Sequence, residues 1–451
     1  MNKADSERIA TVLEKIGYRK SQKISKADLI VVNMCSVRQS AVDRVFGISQ
    51  KLVQLKTLNP KLKTVLTGCI LKKDKKKFKN KFDLILDIKD LPKWPNFLNL
   101  SKIYNPTPHQ SLRHGTGQES KIYLDVQPKY QTNFSALIPI SNGCNNFCSY
   151  CVVPYVRGSE TCRNYQKILK EVKNAVKKGA KEIWLLGQNV NAYRANNKRI
   201  KSNGKRIFNK NSLSLVKNSG DTVNFAKLLK MVNGVPGNFW IRFTSPHPKD
   251  FSNELIKTMA KCQKITPYLN LPVQSGDNEI LKKMNRNYTI KDYKELVKKI
   301  RKAVPEITLS TDAIVGFPGE SKKQFEATLK LFKEIKFDMA YIAKYSPRPG
   351  TTASKLKDNV THQEKEKRYQ ILTAILKKTA LKSNKKYLGK EIEVLPEEYK
   401  NGFLIGKSRA YKTVKFQGPK NLIGQFAKAK ITYALIWGLG GKMIKEKRAN
   451  L

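Results

Sequence analysis

Apolar residues Ile9, Val12, Leu13 and Ile16 open the chain at three- to four-residue spacing, the period of one buried helix face. The period then gives way to the run Leu29-Ile30-Val31-Val32-Asn33-Met34, whose branched side chains suit a strand covered on both faces of a parallel sheet. Cys35 ends that run, and a helical segment is expected from about Arg38. A second strand, Lys63-Thr64-Val65-Leu66-Thr67, ends at Gly68-Cys69. Both thiols therefore stand at the carboxyl ends of strands, where open α/β sheets place their ligands. A helix beginning after Cys35 also favours its thiolate. Either cysteine alone reads as a small core residue; their matched positions point to ligation.

Residues 103–132 lose this periodicity and are rich in Pro, His, Gly, Ser and Thr, the composition of a linker. Strand-like runs follow at 136–140, 182–186, 240–243 and 308–314, separated by amphipathic helices such as 165–178 and 293–304. That alternation predicts a parallel sheet or barrel with its functional groups at the strands' carboxyl ends. Residues 195–221 form a polar, Lys- and Asn-rich interruption, read as a surface insertion. After a helical segment ending near Ser383, alternating stretches at 391–395, 402–416 and 427–437 predict a small antiparallel OB-like barrel. Lys407, Arg409, Lys412, Lys415, Lys428 and Lys430 are interleaved there with Tyr411, Phe416 and Tyr433. Such a mixture suits RNA held by stacking and phosphate contact; a generic β-domain with solvated lysines is the plainer alternative.

Length alone, 451 residues, suggests roughly three domains. Hydrophobic residues make up 40% of the chain, enough for packed cores. No apolar run approaches bilayer-crossing length and no charged-then-apolar leader opens the chain, so no membrane partner and a cytoplasmic location are expected. Seven cysteines, odd in number and locally clustered, argue for reduced thiols rather than a disulfide framework. A formal charge of +53 permits a polyanionic partner, most simply a nucleic acid. Lysine is abundant everywhere, however, and a run such as Lys72-Lys73-Asp74-Lys75-Lys76-Lys77 reads first as a solvated face.

The sharpest chemistry lies in Gly143-Cys144-Asn145-Asn146-Phe147-Cys148-Ser149-Tyr150-Cys151. Three soft thiolates at C-x3-C-x2-C can hold three corners of a 4Fe–4S cube and leave one iron open for chemistry. The alternative is a structural zinc knot completed by Cys162, although zinc ligands usually come as separated C-x2-C pairs.

This loop resembles the radical S-adenosylmethionine (SAM) signature. Together with Leu185–Tyr193, Arg242–Asp250, Leu271–Gly276, Gly316–Glu320 and Tyr345–Thr351, in that order, it makes the whole chain similar to the radical-SAM methylthiotransferase family. The string Gly187-Gln188-Asn189 leans toward the branch that acts on N6-prenylated adenosine in tRNA. The resemblance implies an α/β multidomain fold. Its parts are a doubly wound methylthiotransferase domain over 1–121, a linker over 122–135, a partial (β/α) barrel over 136–380 and a small OB-like TRAM barrel over 381–451. It further implies two 4Fe–4S clusters and SAM as cofactors, tRNA and a low-potential electron donor as partners, and a monomer as the working unit. Cys144, Cys148 and Cys151 would hold the SAM-binding cluster, and the radical formed there would take hydrogen from C2 of N6-isopentenyladenosine beside the anticodon. Cys35 and Cys69 match two of the three ligands of the auxiliary cluster that supplies or carries sulfur, while a second SAM gives the methyl group. Tyr150, Gln188 and Gln274 fall in matching segments and are candidates for the SAM pocket, with ordinary packing as the alternative; Arg242 and His247 are similar.

Two departures are visible. The family's third auxiliary ligand precedes a Met-Asn-x-x-Asp-Ser-Glu string that here begins at Met1. A start set late or a truncation is therefore expected, with impaired sulfur insertion; a genuine two-cysteine site is the alternative. In Arg157–Arg163, Ser159, Thr161 and Cys162 replace the usual residues. Cys162 is expected to be a bystander rather than a fourth thiolate closing the cube. Rival functions are the same reaction on threonylcarbamoyladenosine, modification of a ribosomal-protein aspartate, and, outside enzymes, a zinc-stabilised RNA-binding protein.

Overall fold

The computed structural model describes residues 1–37, 39–98, 123–195 and 222–444. Most of the expected linker and nearly all of the polar insertion at 195–221 lie outside the described residues.

The first unit is a parallel sheet, β1 (Leu29–Cys35), β2 (Lys63–Cys69) and β3 (Leu84–Ile85), in that order. Alternation along β2 sends Val65 toward α1 (Asn2–Lys15), where Ile9, Val12, Leu91 and Trp94 pack. Leu66 faces the other way, into Val42, Val45 and Leu52 of α2 (Gln39–Leu58) and Phe78 of α3 (Lys72–Phe78). Helices thus cover both faces, as the apolar strand runs require. A short helix, α4 (Trp94–Phe97), completes the unit, and Tyr123 and Leu124 are buried against it. Register places Cys35 opposite Cys69. Gly68, at φ +105°, crosses so close to β1 that a Cβ would stand 2.2 Å from the Met34 carbonyl oxygen, which only glycine permits.

The central unit begins with β4 (Ser135–Pro139), β5 (Ser141–Asn142), α5 (Val153–Arg157), β6 (Thr161–Cys162) and α6 (Tyr165–Lys177). It continues through β7 (Glu182–Leu186), β8 (Arg194–Ala195), β9 (Val223–Asn224), β10 (Trp240–Phe243), β11 (Tyr268–Asn270), β12 (Thr308–Val315) and β13 (Met339–Lys344). Strands β4, β7 and β10 form one parallel set and β11, β12 and β13 another; a bridge between Ile241 and Ile265 joins them. The wall runs from β4 to β13 and leaves those two edges unpaired among the described residues. The result is a partial barrel, and one large core lies between its strands and outer helices.

The last unit is a closed five-stranded barrel of β14 (Glu391–Lys400), β15 (Phe403–Ser408), β16 (Thr413–Gln417), β17 (Ala427–Leu435) and β18 (Gly438–Met443). Its pairings are antiparallel except β16 with β18. An odd number of strands cannot close a ring in strict alternation, so one parallel pair is required. The expected basic, aromatic face is divided between solvent and interior. Lys415, Lys428, Lys430 and Tyr433 are exposed, Phe416 is core, and Lys412 is buried against Asp338 at 2.9 Å.

Charged groups buried at the seams join the units. Glu171 of α6 accepts Arg8 of α1 at 2.9 Å and Arg163 at 2.7 Å, all three side chains nearly inaccessible. Removing one partner from such a set leaves an uncompensated buried charge. Glu171→Ala should therefore lower the first urea transition by about 3–5 kcal/mol, whereas losing the exposed Lys93–Asp90 pair should cost under about 1 kcal/mol.

Candidate active site

Beyond β4 the chain pairs briefly through β5 with β6, then turns at Gly143. With φ +86° and a notional Cβ 2.2 Å from the Ser159 carbonyl oxygen, this position admits only glycine. Gly143 N–H donates to Gln188 Oε1 at 2.7 Å, and Cys144 N–H to the Gly158 carbonyl at 3.2 Å. Phe147 takes φ 46°, held by Asn285 Nδ2, which donates to the carbonyls of Asn146 and Phe147. Ser149 is fastened on both sides, N–H to the Met284 carbonyl and Oγ to that of Lys283. The cysteine loop is thus gripped by segments from several strand ends.

Cys144, Cys148 and Cys151 come together on this loop, near enough for Cys148 to add to the rise in the other two thiols. Burial raises the Cys144 thiol and pushes that of Cys151 up to about 12. Backbone N–H groups of Asn146 and Val153 donate to these two sulfurs, and Arg286 Nη1 stands 3.8 Å from Cys148 Sγ. Metal ligation is what deprotonates such thiols. Among the described residues no three ligating side chains are close enough to hold a single ion. A tetrahedral zinc site needs sulfurs about 3.8 Å apart, while a cube binds each thiolate to a different iron and accepts a wider triangle. Three soft thiols on one loop are a donor set that fits a 4Fe–4S cluster. Cys162 is elsewhere: it lies on β6, and its sulfur accepts the Arg194 N–H at 3.4 Å.

Of the SAM-pocket candidates, Gln188 supports the loop directly. Gln274 is buried at φ 70°, and its backbone joins β12 through the Asp312 carbonyl and Ile314 N–H. Tyr150 OH accepts from Arg286 Nη1 at 3.2 Å, and burial raises its pKa. Sequence reasoning named His247 but missed the buried polar atoms that accompany it: Ser141 Oγ, Glu160 Oε1 and Asn189 Oδ1, like His247 Nε2, have no partner among the described residues. They sit on β5, beside β6, after β7 and after β10. Such orphans suit a polar cofactor with amino, carboxylate and hydroxyl groups. Burial keeps His247 neutral, its pKa lowered to about 2, and raises Glu160 to about 7 with Asp250 adding to the effect. Arg286 was also missed, having no motif around it to mark it. Arg242 is not in this pocket; it joins the barrel to the C-terminal unit through Glu182 at 2.5 Å and the Ser408 and Arg409 carbonyls.

Cys35 and Cys69 form a hydrogen-bonded pair at the seam between the first two units. Their contact draws the Cys35 thiol down to about 6 and, with burial, raises that of Cys69. Arg157, at the end of the helix after the cysteine loop, donates from Nε to Cys69 Sγ at 2.9 Å and from Nη2 to Asp5 at 2.7 Å. Arg348 approaches Cys35 from the central unit, bonding to the Val37 carbonyl and Gln39. Cys262, the remaining cysteine, is buried in the barrel core.

A cavity of about 790 Å³ occupies the lumen of the partial barrel. Leu186, Ser245 and Pro272 line it toward the strands' carboxyl ends, and Trp184, Glu182, Tyr268 and Tyr411 toward the amino ends. Residues of α1 and the stretch 131–134 border it where β4 and β13 leave the wall open.

A thiol trio at the carboxyl ends of an open (β/α) barrel, beside a polar pocket and a large lumen, is the architecture of a radical-SAM enzyme, and the radical SAM superfamily pattern matches residues 138–332. The uncharacterized protein family UPF0004 matches residues 1–87 and the TRAM domain residues 385–444. The tRNA-2-methylthio-N(6)-dimethylallyladenosine synthase of Clostridium novyi (strain NT) is 40% identical over 98% of this chain and 94% of its own length. That of Acetivibrio thermocellus is 38% identical over 99% and 89%. The chain belongs to this family of radical-SAM tRNA methylthiotransferases. In fold it resembles the radical SAM methyltransferase TsrM of Kitasatospora setae, with a TM-score of 0.52 and 14% identity over 78% of this chain and 72% of that one. SAM and a 4Fe–4S cluster follow from membership, which sets aside the non-enzymatic zinc protein. No described helix is long and apolar enough to cross a membrane.

Cys148→Ala should abolish reductive SAM cleavage, while Cys162→Ser should retain it, as measured by deoxyadenosine released under strong reduction. Glu160 is protonated below about 7 and anionic above it. Affinity for the cationic cofactor should therefore rise with pH between 6 and 8 in titration calorimetry, and Glu160→Gln should flatten that dependence.

Proposed function

We propose that this enzyme installs a methylthio group at C2 of N6-isopentenyladenosine beside the anticodon of tRNA. End-to-end identity of 40% to a synthase of that name, joined to a thiol loop at the carboxyl ends of strands that surround a lumen of about 790 Å³, carries the reading. Cys144, Cys148 and Cys151 hold the cluster that binds SAM, and Cys35 and Cys69 contribute to a second, auxiliary cluster. When bound, SAM and its cluster supply the radical that removes hydrogen from C2. The chain's own groups do the rest: Gln188 and Asn285 set the loop, Arg286 balances the negative charge of the thiolates, and Ser141, Glu160, Asn189 and His247 orient the cofactor. Tyr150 and Gln274 close that pocket. Exposed Lys415, Lys428, Lys430 and Tyr433 receive the RNA backbone and bases. A low-potential donor supplies electrons, and the enzyme works as a monomer in the cytoplasm. Its working divisions are 1–121, 136–380 and 381–451, with 122–135 as linker.

Mass analysis of nucleosides from tRNA of cells with and without the gene tests this. Loss of the methylthio mark on prenylated adenosine is expected. Loss from threonylcarbamoyladenosine instead identifies the sister reaction, and an unchanged profile refutes both tRNA readings in favour of a protein substrate.

A further inference from the structure

We propose that an aromatic floor of Trp184, Tyr268, Tyr341 and Tyr411 reads the N6 substituent of the target adenosine, admitting an apolar group and disfavouring an anionic one. This rests on the function just proposed and adds the residues that decide between its prenylated and threonylcarbamoylated substrates.

The argument is one of direction. In adenine C2 and C6 flank N1 in the six-membered ring, so the bonds leaving them diverge by an obtuse angle. The thiol loop stands at the carboxyl ends of the barrel strands, so a base presenting C2 to it turns its N6 tail away from the loop, obliquely toward their amino ends. Glu182 and Tyr268 begin β7 and β11, and Leu186 ends β7. The four steps between Glu182 and Leu186 span about 13 Å at roughly 3.3 Å per residue, room for a purine with a short branched tail.

The floor at that far end is aromatic. Tyr411, in the turn between β15 and β16, reaches in from the C-terminal barrel, its ring 5.3 Å from Trp184 and 4.4 Å from Tyr268. Tyr341 of β13 completes the lining. Two cations lie behind them, and both are engaged: Arg242 bonds Glu182, Thr266 and the Ser408 and Arg409 carbonyls, with its guanidinium 5.0 Å from the Tyr411 ring centre, and Lys407 Nζ, 5.0 Å from the same ring centre, donates to Thr413 Oγ1 at 2.7 Å beside Glu397. Glu182, Asp312 and Glu397 also line the cavity, and Lys3 belongs to α1 on the open side. A prenyl tail gains aromatic contact there. A threonylcarbamoyl tail carries a carboxylate toward carboxylates, with the guanidinium committed elsewhere.

Full-length holoenzyme should be given anticodon stem-loops carrying prenylated, threonylcarbamoylated or unmodified adenosine. Tyr411→Ala should lower kcat/KM for the prenylated loop about tenfold or more, the range for a lost apolar contact in a specificity pocket. The unmodified loop should change little, so the preference narrows; Tyr411→Phe should recover most of it. Tyr341→Leu, at a half-exposed position, should narrow the preference too without disturbing how the C-terminal barrel seats. Fluorescence anisotropy on the same loops should show matching changes in Kd ratio. An unaltered preference in both Tyr411→Ala and Tyr341→Leu overturns the proposal. A wild-type enzyme that modifies none of the loops removes the proposed function, and this inference with it.

Discussion

A guanidinium is tolerable in a protein interior only where its N–H groups meet acceptors, and this chain buries such groups at both seams between its units. Arg8 meets Glu171, Arg157 meets Asp5 and Cys69, and Arg242 meets Glu182 and two carbonyls of the C-terminal barrel. Hydrogen bonds of this kind lose strength steeply with misalignment. The three units are therefore held to one another within narrow limits. Arg157 shows why this matters: it ends the helix that begins just past Cys151, and it touches Cys69 in the neighbouring unit. One side chain thus sets the spacing between the thiol trio and the thiol pair.

The strand ends do a related task within each unit. Parallel strands all terminate on one side, so loops leaving them converge whatever their separation in sequence. Cys144, Gln188, His247 and Gln274 come from four different strand ends on that side. Four orphaned polar atoms, on Ser141, Glu160, Asn189 and His247, belong to these strand ends, as expected where a polar ligand supplies the missing partners.

Much of this was legible beforehand. The run 29–34, the alternating runs of the central unit and the final alternating stretches each appear as strands, because burial on one or both faces writes a period into the sequence. The C-x3-C-x2-C loop was legible because its spacing is itself the chemistry. What escaped was what depends on contact across units. Nothing around Arg286 marks it as the neighbour of Cys148, and nothing in Tyr411 distinguishes a ring in the barrel floor from one on an RNA-binding surface. Lys412 and Phe416 carried the same ambiguity, and both are buried. Periodicity reports which side of its own element a residue faces; it is silent about which neighbour waits there.

The turn holding Tyr411 has a bearing on radical containment. The Tyr411 ring packs on Trp184 and Tyr268 and covers part of the amino end of the lumen, away from the ends that carry the thiol loop. A ring seated there narrows the path by which bulk solvent could reach the chamber from that side. A small barrel appended for gripping nucleic acid thereby also forms part of the wall of the reaction vessel.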